Sequence, residues 1–314
     1  MDVVGVGLNA ADTVIPLPEY PDQGSKVEFH SVSVLPGGQV ASAMVACQTW
    51  GLRTRYIGKL GDDSAAELHR AEFEKAGVET HLMTAPNCAS QQAFILVDDT
   101  GERTVLWKRD GRVTLHPEDL KREWIVDARA LHLDGHDTEA SIRAATWARE
   151  AGIPVVLDLD KLYAGVEELL YKTDYLIVSR NIPGDLTGKA DLHAALVEIQ
   201  ERFGCRVTAA TLGHEGVLAW DRERFFYAPA YRVEVVDTTG AGDVFHAAFI
   251  YGLLQGWPMP QMLDFGCAAA ALNCTGLGAR GGIRSVQEIE ALMTNGVHYP
   301  EYFEDCEERG KEMR

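Results

Sequence analysis

The stretch "VVDTTGAGDVFHAAF", residues 235–249, decides how this chain is read. Two aspartates, Asp237 and Asp243, bracket two threonines and three small residues, Gly240, Ala241 and Gly242. Glycines let the backbone turn so that successive N–H groups point one way. The apolar residues after Asp243 recur at helical spacing, which predicts a helix starting at this loop. The loop then presents its N–H groups at a helix N-terminus, where the dipole favours an anion. With almost no side chains in the way, a phosphoryl group can approach the backbone, and charge developing on it during transfer is stabilised. The same dipole is expected to keep Asp243 ionised. An ionised carboxylate beside an anion hole accepts a proton from an attacking hydroxyl. The plainer reading makes Asp243 a helix cap, and local physics leaves both open.

Working outward, the chain alternates strand and helix patterns. "MDVVGVG", "TRYIGKLGDD", "ALHLDG", "PVVLDLD", "YLIVSR", "VTAATLG" and "GVLAW" read as strands. "GGQVASAMVACQTWGL", "SAAELHRAEFEKAGV", "TEASIRAATWAREAG" and "KADLHAALVEIQERFG" read as helices, with Gly77 as the stop of the second. Such alternation predicts a mostly parallel sheet covered on both faces, with ligands at the carboxyl ends of its strands. Two β-rich segments break the rhythm. Residues 11–35 hold three prolines and the alternating "SKVEFHSVSVL". Residues 89–113 hold two β-rich runs around Asp98-Asp99-Thr100-Gly101, a hairpin signal. Together they predict a small second sheet.

Composition narrows the function. A chain of 314 residues with 46% hydrophobic content suits one α/β domain with an elaboration. No run approaches the ~18 apolar residues of a membrane span, and "MDVVGVGLNAAD" does not read as a signal peptide. A net charge of -18 argues against a nucleic-acid partner. The cysteines at 47, 88, 205, 267, 274 and 306 show no CxxC pair, so a reduced, cytoplasmic protein without structural zinc is expected.

Other glycine patterns fail their context. "GVGLNA" (Gly5, Gly7, Ala10) matches a dinucleotide fingerprint by letter, but Pro16, Pro18 and Pro21 follow where a helix is needed. Close packing of a strand end is the favoured reading, and a nicotinamide-dependent oxidoreductase is disfavoured. "GLGARG" (276–281) follows a helix-like run, not a strand. No G-x-x-x-x-G-K-[ST] is present.

The order of these motifs resembles the ribokinase-like sugar kinases, the PfkB family, over nearly the whole chain. "DTTGAGDVF" resembles the family's C-terminal signature. "GLNAADTVI" resembles its first-strand aspartate segment, and "PGGQVASAMVACQTWGLRTRYIGKLGDD" its Gly-Gly signature. "TLGHEGVLAW" resembles its nucleotide-side loop and "AAAALNCTGLGARGGI" its final helix and adenine-side loop. The resemblance implies a Rossmann-like three-layer α/β core with a small β-sheet lid: core 1–10, 36–88 and 114–300, lid 11–35 and 89–113, and a polar acidic tail 301–314. It implies transfer of the γ-phosphoryl of ATP, with Mg²⁺, to a sugar hydroxyl. Asp243 would be the base and Gly240, Ala241 and Gly242 the anion hole. Asp12, Gly37, Gly38, Gln39 and Lys26 would meet the sugar. Thr211, Gly213, Gly216 and Thr238 would line the nucleotide site, with Asn273 on the adenine side. Gly278 lies where some relatives hold K⁺. Family members often pair through their lids, so a homodimer is implied.

The chain departs from the pattern at two places. Ser42 stands where the Gly-Gly signature usually has asparagine, which puts sugar preference in question. An Asn-x-x-Glu element that orders Mg²⁺ in many members is replaced at Ser179 and Ile182. Asn181, Asp185, Asp158 and Asp160 are the candidate substitutes. "GDVFH" and "NCTGLGARGGI" resemble a branch that includes ketose kinases, so a ketohexose-like sugar is expected. Trp107, Arg109 and His136 are expected within reach of it. The alternative is a non-catalytic sugar or nucleotide sensor on a kinase scaffold.

Overall fold

The computed structural model describes residues 1–300 and 302. The expected tail and Cys306 therefore lie outside the described residues, Tyr302 excepted. In chain order the elements are β1 (Val3–Val6), β2 (Ala10–Pro16), β3 (Ser33–Gly37), α1 (Gln39–Thr49), β4 (Thr54–Leu60), α2 (Ser64–Ala76) and β5 (Glu79–Thr84). Then come β6 (Gln92–Val97), β7 (Arg103–Lys108), β8 (Ala130–Leu133), α3 (Thr138–Glu150), β9 (Val155–Leu159), α4 (Val166–Leu170) and β10 (Tyr175–Ser179). The rest are α5 (Ile182–Thr187), α6 (Leu192–Phe203), β11 (Val207–Thr211), β12 (Val217–Trp220), β13 (Phe225–Ala228), α7 (Ala241–Gln255), α8 (Met259–Asn273) and α9 (Val286–Asn295).

The large sheet runs β13-β12-β11-β10-β9-β8-β1-β4-β5. It is parallel except for β12 and β13, which pair antiparallel at one edge. Its central strands are buried on both faces, and alternate residues feed two separate cores. Val3, Ala130, Val156 and Ile177 pack under α1, α7 and α8. Val4, Leu131, Leu157 and Val178 pack under α3, α4 and α6. The chain proceeds from β1 to β4 and β5 on one side, and from β8 to β11 on the other. This reversal opens a crevice at the carboxyl ends of the central strands, where ligands bind in open α/β sheets.

The small sheet, β3-β2-β6-β7, stands apart from the large one. Its inner face buries Val14, Ala93, Ile95 and Val97 with Leu35 and Leu277. The hairpin expected from Asp-Asp-Thr-Gly forms between β6 and β7. The expectation of extended pairing across 11–35 is met only at its ends, for residues 17–32 carry no strand. The prolines explain part of this: each lacks a ladder donor, and Pro36 is accommodated because β3 is an edge.

The favoured reading of "GVGLNA" holds. Gly7 lets the Asp134 carboxylate come close, since a Cβ there would lie 2.4 Å from Asp134 Oδ2. That oxygen accepts the Leu8 N–H at 2.6 Å. The chain then enters strand β2, not a helix.

Candidate active site

The stretch at 235–249 folds as its glycines suggest. Gly240 caps α7 with φ 77°, and a Cβ there would sit 2.2 Å from the Ala279 carbonyl oxygen. Gly242 faces open space. Among the described residues, the N–H groups of Gly240, Gly242 and Asp243 meet no protein acceptor, while that of Ala241 reaches the Thr238 carbonyl at 3.3 Å. Three free donors at a helix start make an anion cradle. The Thr239 hydroxyl beside them is buried and also lacks a partner.

The two aspartates divide the work. Asp237 is fully buried. Its Oδ1 accepts the Thr239 N–H and its Oδ2 the Gly278 N–H, both at 2.8 Å. It pins the cradle to the loop after α8. Asn273 pins the same junction, its Nδ2 donating to the carbonyls of Thr239 and Ala279. Asp243 makes no such backbone bond and opens onto a cleft between the two sheets.

That cleft holds about 1070 Å³ of empty space, its open mouth included. It gathers many of the expected residues: Asp12, Gly38, Gln39, Trp107, His136, Thr211, Gly240, Gly242 and Asp243. The core supplies strand ends and the α7 start, and the small sheet supplies Asp12 and Trp107. Burial, the largest influence, pushes the Asp243 carboxyl up to about 6. Arg103, Arg280 and Ser42 pull it down, and Asp160 pushes it up. At about 6 it is still mainly ionised at pH 7, so burial opposes the expected charge without removing it. Burial and the charge of Asp243 raise Asp12 to about 7. Burial lowers His136 to about 4, so its ring is neutral at pH 7, with Nδ1 at 2.9 Å from the Tyr163 hydroxyl.

Other expected residues lie off the cleft wall. Arg109 is committed to Asp137 at 2.7 and 2.8 Å, because the chain leaving β7 turns its guanidinium toward α3. Lys26 is exposed in 17–32. Gly37 backs the Asp12 carboxylate, leaving no room for a Cβ. Ser42 is buried beneath Asp243. Thr238 is held by the β6–β7 turn: its N–H and hydroxyl donate to the Gly101 carbonyl at 3.2 and 3.0 Å. Gly213 and Gly216 shape the β11–β12 turn, and Gly278 serves Asp237.

The cleft also holds residues with no motif to announce them. Arg103, from β7, lines it and donates to the Thr238 carbonyl and hydroxyl at 2.9 Å. Lys161 and Tyr163 line it too, as does His246 from the "GDVFH" stretch. Of the candidate substitutes for the missing element, Asp158 and Asp160 reach the cleft, beside Ser179, whereas Asn181 and Asp185 do not. Burial and then the charge of Asp243 raise Asp158 well above the usual carboxylate range. The β9 alternation was the available signal: Asp158 faces the α7 side because Val156 does.

Fold and site together define a phosphotransferase with an alcohol group as acceptor. The model of the "pfkB family carbohydrate kinase" matches residues 3–285, and the chain belongs to that family. Ribokinase from Haemophilus influenzae is 26% identical over 286 residues, covering 88% of this chain and 94% of that protein. An ATP-dependent ribose-1-phosphate kinase from Halopiger xanaduensis is 27% identical, covering 90% and 93%. The crystal structure of a putative ribokinase from Agrobacterium tumefaciens superposes with a TM-score of 0.85 at 27% identity, covering 93% and 97%. The protein is a sugar kinase with the ribokinase-like fold.

Proposed function

We propose that the chain transfers the γ-phosphoryl of ATP to a hydroxyl of a small, ketohexose-like sugar. The observation that carries this is the Asp243 carboxyl standing beside the free N–H groups of Gly240, Gly242 and Asp243. Asp243 takes the hydroxyl proton as the sugar oxygen attacks the γ-phosphorus. The bond to the β-phosphate oxygen breaks, and ADP leaves with that electron pair. The cradle N–H groups hold the transferring oxygens. Asp12, Gly38, Gln39, Trp107 and His136 face the sugar, and Thr211 and the unpartnered Thr239 hydroxyl face the nucleotide. The preference for a ketohexose rests on the "GDVFH" and "NCTGLGARGGI" variants.

Mg²⁺ fits the donor set. Among the described residues no three carboxylate, histidine or cysteine groups could hold a metal ion by themselves, and Asp158 and Asp160 line the cleft as oxygen donors of the kind a hard cation takes alongside phosphate oxygens. When bound with ATP, it would neutralise phosphate charge, with Asp158 and Asp160 supporting it. K⁺ near Gly278 is a further element of the reading, checked by comparing assays in potassium and in tetramethylammonium buffers.

We divide the chain into a core and a lid at 11–35 and 89–113, a reading that the presence of two separate sheets supports. We also assign homodimer formation to the lid. Register places Val34, Thr13, Phe94 and Leu106 in one row across its outer face. Val34, Phe94 and Leu106 are half exposed or more, and a second copy of the same sheet would cover them. The five described cysteines are free and buried, which suits a reducing cytoplasmic setting. No described helix is long and apolar enough to cross a membrane.

A panel of ketoses, aldoses, sugar acids, sugar phosphates and nucleosides, assayed for ADP formation with Mg²⁺, tests the reading. One sugar is expected to turn over. Absence of turnover across the panel, or an Asp243→Asn variant as active as the parent, overturns it.

A further inference from the structure

The departure at Ser42 has a structural partner 238 residues away. Ser42 lies one turn into α1, fully buried. Its hydroxyl oxygen accepts a hydrogen bond from Arg280 Nε at 3.2 Å. With its acceptor side occupied, the hydroxyl keeps a proton to donate, and the Ser42 side chain is among the groups that pull the Asp243 carboxyl down. Arg280 comes from the loop after α8. Its Nη2 donates to the Gly37 carbonyl at 3.1 Å, its guanidinium lies 5.6 Å from the Phe73 ring centre, and its Nη1 is buried without a partner. Burial lowers its pKa to about 10, so it stays charged at neutral pH. Gly37 in turn backs the Asp12 carboxylate. One guanidinium thus reaches the proposed base through Ser42 and the sugar-side aspartate through Gly37.

We infer that Arg280 and Ser42 form a positioning pair that orients Asp243 as the base. In this pair Ser42 serves the base and does not read the sugar. A serine is short enough to leave room for the guanidinium in the buried space between α1 and the loop after α8. A longer amide at 42 would compete with it for that space. The other charged groups facing Asp243 are Arg103 from β7, Asp12 from β2, and Asp158 and Asp160 at the end of β9. Arg103 and Arg280 oppose the carboxylates. Of the two cations, Arg280 is the one bonded to the Ser42 hydroxyl.

The inference rests on Asp243 acting as the base, and the test separates the two claims. Ser42→Ala, Arg280→Gln, Arg280→Lys and the Ser42→Ala/Arg280→Gln double variant are assayed on the best sugar across about pH 5–9. Folding is checked by near-UV circular dichroism. Either single neutral change is expected to lower kcat about tenfold at pH 7 and to move the acid limb of the profile up by about one unit. The sugar KM stays within about twofold. The double variant matches the singles within about threefold, because both break one chain. Arg280→Lys keeps the charge but not the two-point grip, and falls between. An unmoved acid limb, additive losses, or a sugar KM raised tenfold at constant kcat overturns the inference.

A second readout needs no turnover: the melting temperature with and without Asp243→Asn, followed across pH. The folded-state pKa of Asp243 lies above its unfolded value, so ionising it weakens the fold. The parent therefore loses stability relative to Asp243→Asn as pH rises from about 4 to about 6. With Ser42→Ala or Arg280→Gln, that window extends upward by about one unit. A window left in place defeats the positioning pair even if no sugar is turned over. A moved window with no turnover defeats the kinase reading alone.

Discussion

The two walls of the cleft are built differently. The core wall is fixed by a dense set of polar ties. Asp237 holds two backbone N–H groups, Asn273 holds two carbonyls, and Gly240 packs directly against Ala279. The lid wall is a four-stranded sheet with one buried face and one open apolar face, and its β7 strand is exposed along its length. It meets the signature loop at the β6–β7 turn, through Gly101, Arg103 and Thr238. The contrast separates two tasks. Proton transfer needs a base and an anion cradle whose geometry does not drift. Admitting a sugar needs a wall that can move away and return.

The predictions test that division. The largest effect is expected from Asp243→Asn on the core wall: kcat lower by about 10³-fold or more with the protein still folded, read by steady-state assay and circular dichroism. Asp237→Ala comes next. It strands two buried N–H groups and should cost about 2–4 kcal/mol in urea unfolding, with activity falling alongside. Arg103→Ala on the lid wall should lower kcat about tenfold, since a cation that faces the reacting centre and ties the lid is lost. Hydrogen exchange at residues 98–104 should quicken in the same variant, with no change at Thr239 and Gly278, whose N–H groups Asp237 holds. An equal quickening at Thr239 and Gly278 would show that the two walls are one unit. Trp107→Ala should raise the sugar KM about tenfold with kcat nearly kept. The smallest effect on chemistry is expected from Phe94→Asp with Leu106→Asp on the lid's outer face. Analytical ultracentrifugation should show a monomer, and a dimer that persists would remove the lid from the interface.

The pH dependence follows from the same core wall. With Asp243 near 6, kcat/KM should fall on acidification below about pH 6, as the base takes up a proton. A limb near about pH 4, the ordinary carboxylate range, would mean that the cleft is wetter than its enclosure indicates.

Much of the core was legible because its cues are local. Gly77 ends α2 in the left-handed conformation, as its place after the apolar period foretold. The strand runs from β8 to β12 stood out as apolar segments between turns. Five elements carried no such pattern. Two of them, β5, "ETHLMT", and β13, "FFYA", lie at the sheet's edges, where burial is partial and alternation weak. α4 and α5 are five and six residues long, too short to show a helical period, and α9 buries only Ile289 fully. The site was half legible. Asp12, Gly38 and Asp243 sit in motifs. Arg103 has none, and Arg109, just past the other end of β7, was the wrong arginine: Arg103 lines the cleft, and Arg109 is spent on Asp137.

The sequence by itself determined that "DTTGAGD" would turn, expose its N–H groups and start a helix, because glycine torsions and helix periodicity act within a few residues. Only the tertiary structure decided what the two aspartates became. Asp237 met buried backbone donors from its own loop and from Gly278, and Asp243 met a cleft. It also decided Ser42, whose meaning depends on a guanidinium 238 positions away. Pairings of that kind come from how strands and helices stack, and no local pattern encodes them.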